Sequence, residues 1–465
     1  MKPLNSMPIS GRDVLPLVEG GKGISVSNGE SAGAWAAAGG VGTVSAVNAD
    51  AYDETGALIP NEYHGKTRVL RQQELIAHGI LAGVNQTRIA HEIAGGHGRI
   101  HVNVLWEMGG AEPILEGILE GARGLIHGIT CGAGMPYKVA SIAARHKVYY
   151  YPIVSSGRAF KALWRRAYNK VPELLGGVVY EDPWLAGGHN GLSNTEDPRE
   201  PEGPYERVRD LRAVMREAGL DRVPILMAGG VWWLSEWEDW IDNPDLGPIA
   251  FQFGTRPLLT RESPISEQWK RMLPELRKGD VSLHRFSPTG FYSSAVYNDF
   301  LRELEGRTER QVAYASAATD ALDTPLSVGA RGRTVYVSET DYNRVQEWLS
   351  QGYTEPMRTP DDTMIFVAPE RAQRILKAQA DCMGCLSACK FSNWAEGGDH
   401  TTGKRPDPRS FCIQKTLQRI GHGADVNHEL MFAGHNVYRF GDDPFYANGH
   451  VPTVAELVER ICTGY

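Results

Sequence analysis

The stretch ILMAGGVW, residues 225–232, places a short apolar run directly before two adjacent glycines. A second stretch, IAFQFGTRP at residues 249–257, also ends its apolar run at a glycine. Glycines at the carboxyl ends of neighbouring parallel strands let backbone N–H groups approach a phosphate closely. For either stretch alone, a tight turn without a ligand is the alternative. Together they predict a phosphate site formed by Gly229, Gly230, Gly254 and Thr255.

Six further apolar runs precede these two, and segments of helical character separate them. Eight strand-like runs that alternate with helices favour a (β/α)8 barrel, an α/β fold, over an open doubly wound sheet. Barrels of this kind often bind phosphate in the loops after strands seven and eight, which agrees with the glycine pattern. The predicted strands lie at 24–26, 42–47, 100–105, 124–130, 148–154, 177–181, 223–227 and 248–253.

The alternation of strands and helices stops past residue 260. Amphipathic helical segments follow, for example at residues 368–380, and a cysteine-rich stretch comes directly after them. We therefore predict a barrel over residues 1–330 and a C-terminal α+β extension over residues 331–465.

Composition limits the function classes. The chain has 465 residues, of which 22% are charged and 42% hydrophobic, as in ordinary globular enzymes. Its formal net charge of −8 argues against a general nucleic-acid binder, which carries a basic excess. No apolar run approaches the roughly 20 residues of a membrane span, and the start lacks the pattern of a signal peptide. We expect a cytoplasmic protein that binds neither nucleic acid nor membrane.

A histidine follows the sixth predicted strand, in the stretch WLAGGHNG at residues 184–191. Gly187 and Gly188 allow the backbone to bend, so that His189 is presented at the mouth of the barrel. A histidine there can take a proton from an acidic carbon or act as a neutral hydrogen-bond partner. A solvent-facing loop histidine is the alternative, since the chain has 14 histidines.

Six motifs, five of which contain glycine, occur in the same order as in the nitronate monooxygenase family, formerly called 2-nitropropane dioxygenases, and the chain resembles this family together with the related flavin-dependent enoyl reductases. The resemblance covers roughly residues 15–265. It implies a (β/α)8 barrel that binds FMN noncovalently at its carboxyl face. The motifs are AAAGGVGTVSA (36–46), HVNVL (101–105), CGAGMP (131–136), LAGGHNG (185–191), MAGGV (227–231) and FGTRPLLTRES (253–263).

The resemblance also implies roles for single residues. Asn103 matches the asparagine near the flavin, and Gly187 and Gly188 match the loop against the cofactor. His189 matches the histidine described as catalytic base or electrostatic partner. The FMN phosphate clamp of the family corresponds to Gly229, Gly230, Gly254 and Thr255.

Two stretches depart from the family pattern. The first strand region reads VEGGKGISVSNG at residues 18–29, where the family commonly has a proline and a methionine, so that Lys22 or Ser27 would face the redox end of the flavin. YEDPW at residues 180–184 replaces the usual glutamine-glycine pair and brings Glu181 and Asp182 close to the site. The resemblance therefore indicates the fold and the cofactor more firmly than the substrate.

Four of the six cysteines lie within 31 residues of one another. Cys382, Cys385 and Cys389 form a C-x2-C-x3-C array, and Cys412 follows. This spacing can direct thiolates at one centre, which suits a [4Fe–4S] cluster or a structural zinc, with unligated or redox-paired thiols as the third alternative. The array is similar to that of 2,4-dienoyl-CoA reductase-type flavoenzymes, although their fourth cysteine lies closer in sequence.

Three functions follow as hypotheses. The first is a flavin-dependent oxidoreductase of the nitronate monooxygenase type, in which an alkyl nitronate or similar carbanion is oxidised with oxygen. The second is an FMN and [4Fe–4S] reductase or dehydrogenase that exchanges electrons with NAD(P)H or a protein partner. The third is a noncatalytic, metal-stabilised binding protein on a barrel scaffold. A small-molecule substrate is the expected partner, and a homo-oligomer is compatible with the sequence.

Overall fold

The computed structural model describes residues 1–193, 195–397, 399–423 and 425–465. In chain order the strands are β1 (Met7–Ile9), β2 (Arg12–Val14), β3 (Leu17–Glu19), β4 (Val41–Ser45), β5 (Ala51–Tyr52), β6 (Leu58–Ile59), β7 (Arg99–Leu105), β8 (Gly128–Gly132), β9 (Tyr149–Val154), β10 (Val178–Glu181), β11 (Gly188–His189), β12 (Ile225–Ala228), β13 (Ile249–Phe253), β14 (Val281–His284), β15 (Ser293–Val296), β16 (Gln311–Ala313), β17 (Thr324–Val328), β18 (Arg333–Val337), β19 (Glu355–Arg358), β20 (Thr363–Val367), β21 (Ala388–Cys389) and β22 (Trp394–Ala395).

The α-helices are α1 (Gly29–Ala37), α2 (Arg68–Ala94), α3 (Ala111–Gly121), α4 (Val139–His146), α5 (Gly157–Arg166), α6 (Pro204–Glu217), α7 (Glu267–Met272), α8 (Asp299–Glu309), α9 (Glu339–Ser350), α10 (Pro369–Ala380), α11 (Ile413–Leu417), α12 (Arg419–His422), α13 (Arg439–Asp442) and α14 (Val454–Cys462). Short 3-10 helices cover Tyr168–Lys170, Pro172–Leu174, Leu234–Trp240, Arg256–Leu259, Leu273–Glu275 and Pro444–Gly449. Among the described residues, no helix combines the length and the apolar character needed to cross a membrane.

Eight parallel strands close into a barrel, which confirms the predicted (β/α)8 fold. Their order around the barrel is β3, β4, β7, β8, β9, β10, β12 and β13, and β13 pairs with β3 to complete the circle. These strands are almost wholly buried, because the barrel interior covers one face and helices cover the other.

The predicted first strand is wrong. Residues 24–26 form a turn, whereas the first barrel strand is β3, seven residues earlier. The β-branched residues of the turn gave a strand signal, yet Ile24 and Val26 are buried against the pocket at the barrel mouth. The true strand has only three residues, all buried, and Gly20 and Gly21 follow it directly. The other seven predicted runs each overlap a barrel strand.

Helix α2 shows how the sequence sets the outer layer. The Thr67 side chain accepts a hydrogen bond from the backbone N–H of Leu70 and so caps the start of the helix. Gly95, in the left-handed conformation, ends it. Between these ends, small residues such as Gly83 allow close packing, because a Cβ atom at Gly83 would overlap Ile118 of α3.

The chain beyond the barrel has two parts. A small unit of β16 to β20 with α9 has its own apolar core, which includes Val335 and Phe366. The later segments, in contrast, share the main core with the barrel through residues such as Phe440 and Leu457. Residue 330 lies in the turn between the paired strands β17 and β18. The division of the chain at 330/331 stays a prediction.

Candidate active site

A cavity of about 190 Å³ lies at the carboxyl end of the barrel. It is the place where ligands bind in barrels of this class. All eight residues predicted to act in catalysis or cofactor binding line it: Asn103, Gly187, Gly188, His189, Gly229, Gly230, Gly254 and Thr255. The structure thus brings these residues together, and the role of each stays a prediction.

The floor of the cavity is made by residues at the strand ends. The amide of Asn103, at the end of β7, donates a hydrogen bond to the Thr130 hydroxyl over 3.3 Å. Gly21 packs so closely on it that a Cβ atom there would overlap the Asn103 side chain. A Cβ atom at Gly20 would lie 3.0 Å from the Gln252 amide nitrogen. Glycine at both positions therefore keeps the floor flat.

The predicted phosphate end has the expected backbone. Gly229 and Gly230 have φ angles of 91° and 77°, a conformation that favours glycine. Gly254 faces open space, because no atom lies within 4 Å of the place of a Cβ atom. Glycine backbone beside such an opening can approach the oxygens of a phosphate closely. The residues present therefore fit the phosphate of FMN.

A segment of the C-terminal extension, residues 430–436, closes one side of the cavity. The Gly434 N–H donates to the Thr255 hydroxyl over 2.9 Å, and the Asn436 amide donates to the Gly230 carbonyl over 2.7 Å. A Cβ atom at Gly187 would lie 2.6 Å from the Ala433 backbone, so this glycine makes room for the segment. Sequence reasoning missed these residues, since no strand or helix pattern marks them.

His189 is held by neighbours from segments that follow the last barrel strand. Its Nε2 atom shares a hydrogen bond of 2.6 Å with the Ser287 hydroxyl, and its ring meets that of Phe432 edge to face at 5.5 Å. Strand β11, which contains His189, pairs with β15. Burial lowers the pKa of His189 to about 4, so the imidazole is neutral at pH 7. A ring of such low basicity suits hydrogen bonding better than proton abstraction.

Lys22, one of the two residues predicted to face the redox end of the flavin, lines the cavity. Its ammonium group lines the cavity and binds the Glu19 carboxylate at the end of β3. Glu19 is fully buried and also accepts a hydrogen bond from the Ser31 hydroxyl over 2.5 Å, whereas its second oxygen has no hydrogen-bond partner among the residues that the structure describes. Ser27 does not line the cavity; its hydroxyl accepts from the Lys22 N–H over 2.6 Å. Lys22 is therefore the cation at this end of the cavity.

The two acidic residues after β10 have different surroundings. Asp182 is buried and accepts hydrogen bonds from the N–H groups of Trp184 and Leu185, at 3.0 and 2.8 Å. It shapes the loop and does not line the cavity. Glu181, in contrast, lines the cavity directly.

The four predicted metal-binding cysteines lie in one region beside the cavity, with Cys382 and Cys389 buried and Cys385 and Cys412 half-buried. Burial raises the pKa of the Cys385 thiol, and the nearby Cys412, Cys389 and Cys382 raise it further. The Cys382 sulfur accepts a hydrogen bond from the Ser392 hydroxyl over 3.0 Å. Cys385 itself lines the cavity. The extension thus brings the four thiols into one region beside the cavity, and their role as metal ligands stays a prediction.

The thiols do not form a metal site in the arrangement described. Among residues 1–193, 195–397, 399–423 and 425–465, no three His, Cys, Asp or Glu side chains are placed to hold a metal ion. A structural zinc needs sulfur ligands about 2.3 Å from one ion. The geometry therefore lends no support to zinc, and it does not show an iron–sulfur site.

No protein-family description and no curated protein sequence matches this chain. Solved structures do resemble it. Nitroalkane oxidase from Streptomyces ansochromogenes has 16% sequence identity and a TM-score of 0.51, over 97% of this chain and 95% of that protein. FabK from Thermotoga maritima has 14% identity and a TM-score of 0.50, over 97% of this chain and 92% of that protein. At these identities the likeness shows the shared fold.

Proposed function

We propose that this protein is an FMN-dependent oxidoreductase of the nitronate monooxygenase type, which oxidises an alkyl nitronate or similar carbanionic substrate with oxygen. One observation carries the proposal. The glycine-bearing ends of β12 and β13 and the histidine after β10 line the same cavity at the carboxyl end of the barrel. The fold shared with a protein named nitroalkane oxidase supports the substrate class.

The cavity offers places for both parts of FMN. Its phosphate would bind at Gly229, Gly230, Gly254 and Thr255, and its ring would lie over the floor near Asn103 and Gly21. FMN supplies electron acceptance and reactivity with oxygen when bound. The protein would orient the cofactor and the substrate and place charged and polar groups beside them.

The side chains around the cavity suit an anionic substrate. Lys22 lines the cavity, and although its ammonium is paired with Glu19, it has further N–H groups that can donate a hydrogen bond to a nitronate oxygen. His189 can hold the anion through a hydrogen bond without first removing a proton. A nitronate has already lost the proton of its carbon acid, so the low basicity of His189 matches this substrate.

The test is oxygen consumption with the purified protein. The visible spectrum should show bound flavin, and nitronate should reduce that flavin anaerobically and drive oxygen uptake in air. His189→Ala should retain the flavin and lose most of the oxygen uptake. Bound flavin that stays oxidised at high nitronate concentration would exclude this substrate class.

A second candidate is an FMN and [4Fe–4S] reductase or dehydrogenase that exchanges electrons with NAD(P)H or a protein partner. The cluster of buried thiols beside the cavity favours it. Each thiolate of a cluster binds a different iron, so its ligands surround the cluster rather than meet at one ion. Iron and sulfide analysis of anaerobically purified protein, with Cys385→Ser as the variant, tests this candidate. Rapid flavin bleaching by NADH or NADPH would favour it over the monooxygenase.

A noncatalytic binding protein is the remaining hypothesis. The same visible spectrum tests this hypothesis. A protein that shows no flavin absorbance after purification, and none after incubation with FMN, would favour it.

A further inference from the structure

Glu181 is a carboxyl group on the cavity wall for which the proposed function has no use so far. It is the last residue of β10. Val179, two residues earlier, belongs to the core inside the barrel. Because alternate residues of a strand face the same side, Glu181 also points to the inside, at the end that opens into the cavity.

Within the described part of the chain, no cation pairs with this carboxyl group. The strands beside β10 are β9 and β12, which end in Val154 and Ala228, and neither residue titrates. Asp182, the next residue in the chain, adds negative charge nearby. The other titratable groups that line the cavity are Lys22, Glu107, His189 and Cys385. Of these, the Lys22 ammonium is bound to Glu19, and His189 is neutral.

The protonation of Glu181 follows from these surroundings. Burial and the nearby Asp182 raise the pKa of Glu181 to about 8, so the carboxyl group is mainly protonated at pH 7. A protonated carboxyl group can donate a hydrogen bond, whereas an ionised one can only accept.

We propose that Glu181 donates a hydrogen bond from its carboxylic acid to a polar ring atom of the bound cofactor and so tunes its electronic properties. This inference rests on the proposed function, since it takes the molecule in the cavity to be FMN. It gives a role to Glu181, which the YEDPW stretch of the sequence places close to the site without assigning it a function.

The test is a pH titration of the flavin absorption spectrum between pH 6 and 9.5. The wild-type spectrum should shift with one transition near pH 8. Glu181→Gln keeps a donor but does not titrate, so its spectrum should stay constant and resemble that of the wild type at low pH. Glu107→Gln, which changes another carboxyl group of the cavity, should retain the transition.

Infrared spectroscopy gives a second measurement that does not need flavin. The carbonyl stretch of a protonated carboxylic acid should be present at pH 7, vanish as the pH passes 8, and be absent in Glu181→Gln. Bound flavin without a spectral transition, or no such carbonyl band at pH 7, would overturn the inference and leave the proposed function standing. Absence of bound flavin would instead remove the proposed function, while the infrared band would still report on the protonation of Glu181.

Discussion

His189 is neutral at physiological pH because burial lowers its pKa. Its contribution to catalysis is therefore a hydrogen bond to the anionic substrate. A hydrogen bond to a charged group contributes about 1.5–3 kcal/mol. His189→Ala should therefore lower kcat/KM for a nitronate roughly 10- to 100-fold. His189→Asn, which keeps a donor, should lose less. Steady-state oxygen uptake at matched flavin content measures both variants.

The pH dependence provides a separate check on His189. Its neutral form persists from high pH down to about pH 4, so kcat/KM should not fall between pH 7 and pH 5.5 through this residue. A decline centred near pH 6.5 that is absent in His189→Asn would contradict the neutral, buried histidine.

Gly21 matters for the flat floor of the cavity. Gly21→Ala places a Cβ atom in the space of the Asn103 side chain, and overpacking of this kind costs about 1–3 kcal/mol. We expect a lower free energy of unfolding in urea and reduced flavin content. Gly203→Ala is the matched control, since its Cβ atom would meet no atom within 4 Å and its φ angle is negative. Equal effects of the two substitutions would argue against a packed floor.

At the scale of elements, the C-terminal extension is fastened to the barrel by a buried ion pair. Arg256, after β13, and Asp443, after α13, are both fully buried in their side chains and lie 3.4 Å apart. Asp443 also accepts a hydrogen bond from the Trp233 indole over 3.0 Å. Removal of one partner leaves a buried charge without its counterion.

Asp443→Ala should therefore lower the free energy of unfolding by about 3–5 kcal/mol. Because Arg256 directly follows Thr255, flavin affinity should fall as well. Asp442→Ala, the exposed neighbour, should change stability by no more than about 0.5 kcal/mol. Urea unfolding measures the stability, and flavin titration measures the affinity. A loss of stability in Asp443→Ala without weaker flavin binding would show that the ion pair does not support the flavin site.

Sequence reasoning found the elements whose signals are local. Continuous apolar runs placed seven of the eight barrel strands, and the motifs at or near strand ends named eight of the residues that line the cavity. Sequence reasoning failed at β3 because this strand has only three residues, and it is held by pairing with β13 and β4, which are distant in sequence. It also missed Phe432 and Gly434, because their position depends on the return of the chain to the barrel after more than 170 residues. Long-range contacts of this kind leave no periodic pattern.

At the scale of the whole molecule, buried and half-buried histidines make stability depend on pH. Burial lowers the pKa of His101 to about 3, and that of His127, His189 and His284 to about 4. His435 is shifted in the same direction. In the unfolded chain these groups have pKa values near 6.5. Between about pH 6.5 and pH 4 the unfolded state therefore binds more protons than the folded state.

Stability should consequently fall as the pH drops below 6.5, by up to about 1.4 kcal/mol per pH unit for each such histidine. Glu181 acts in the opposite direction, because its raised pKa makes the folded state bind the extra proton between about pH 4.5 and pH 8. The five histidines together outweigh the one carboxyl group. The free energy of unfolding in urea should therefore be lower at pH 5 than at pH 7. His284→Gln should make this dependence shallower, whereas Glu181→Gln should make it steeper. A protein equally stable at both pH values would show that these histidines are solvated in the folded state.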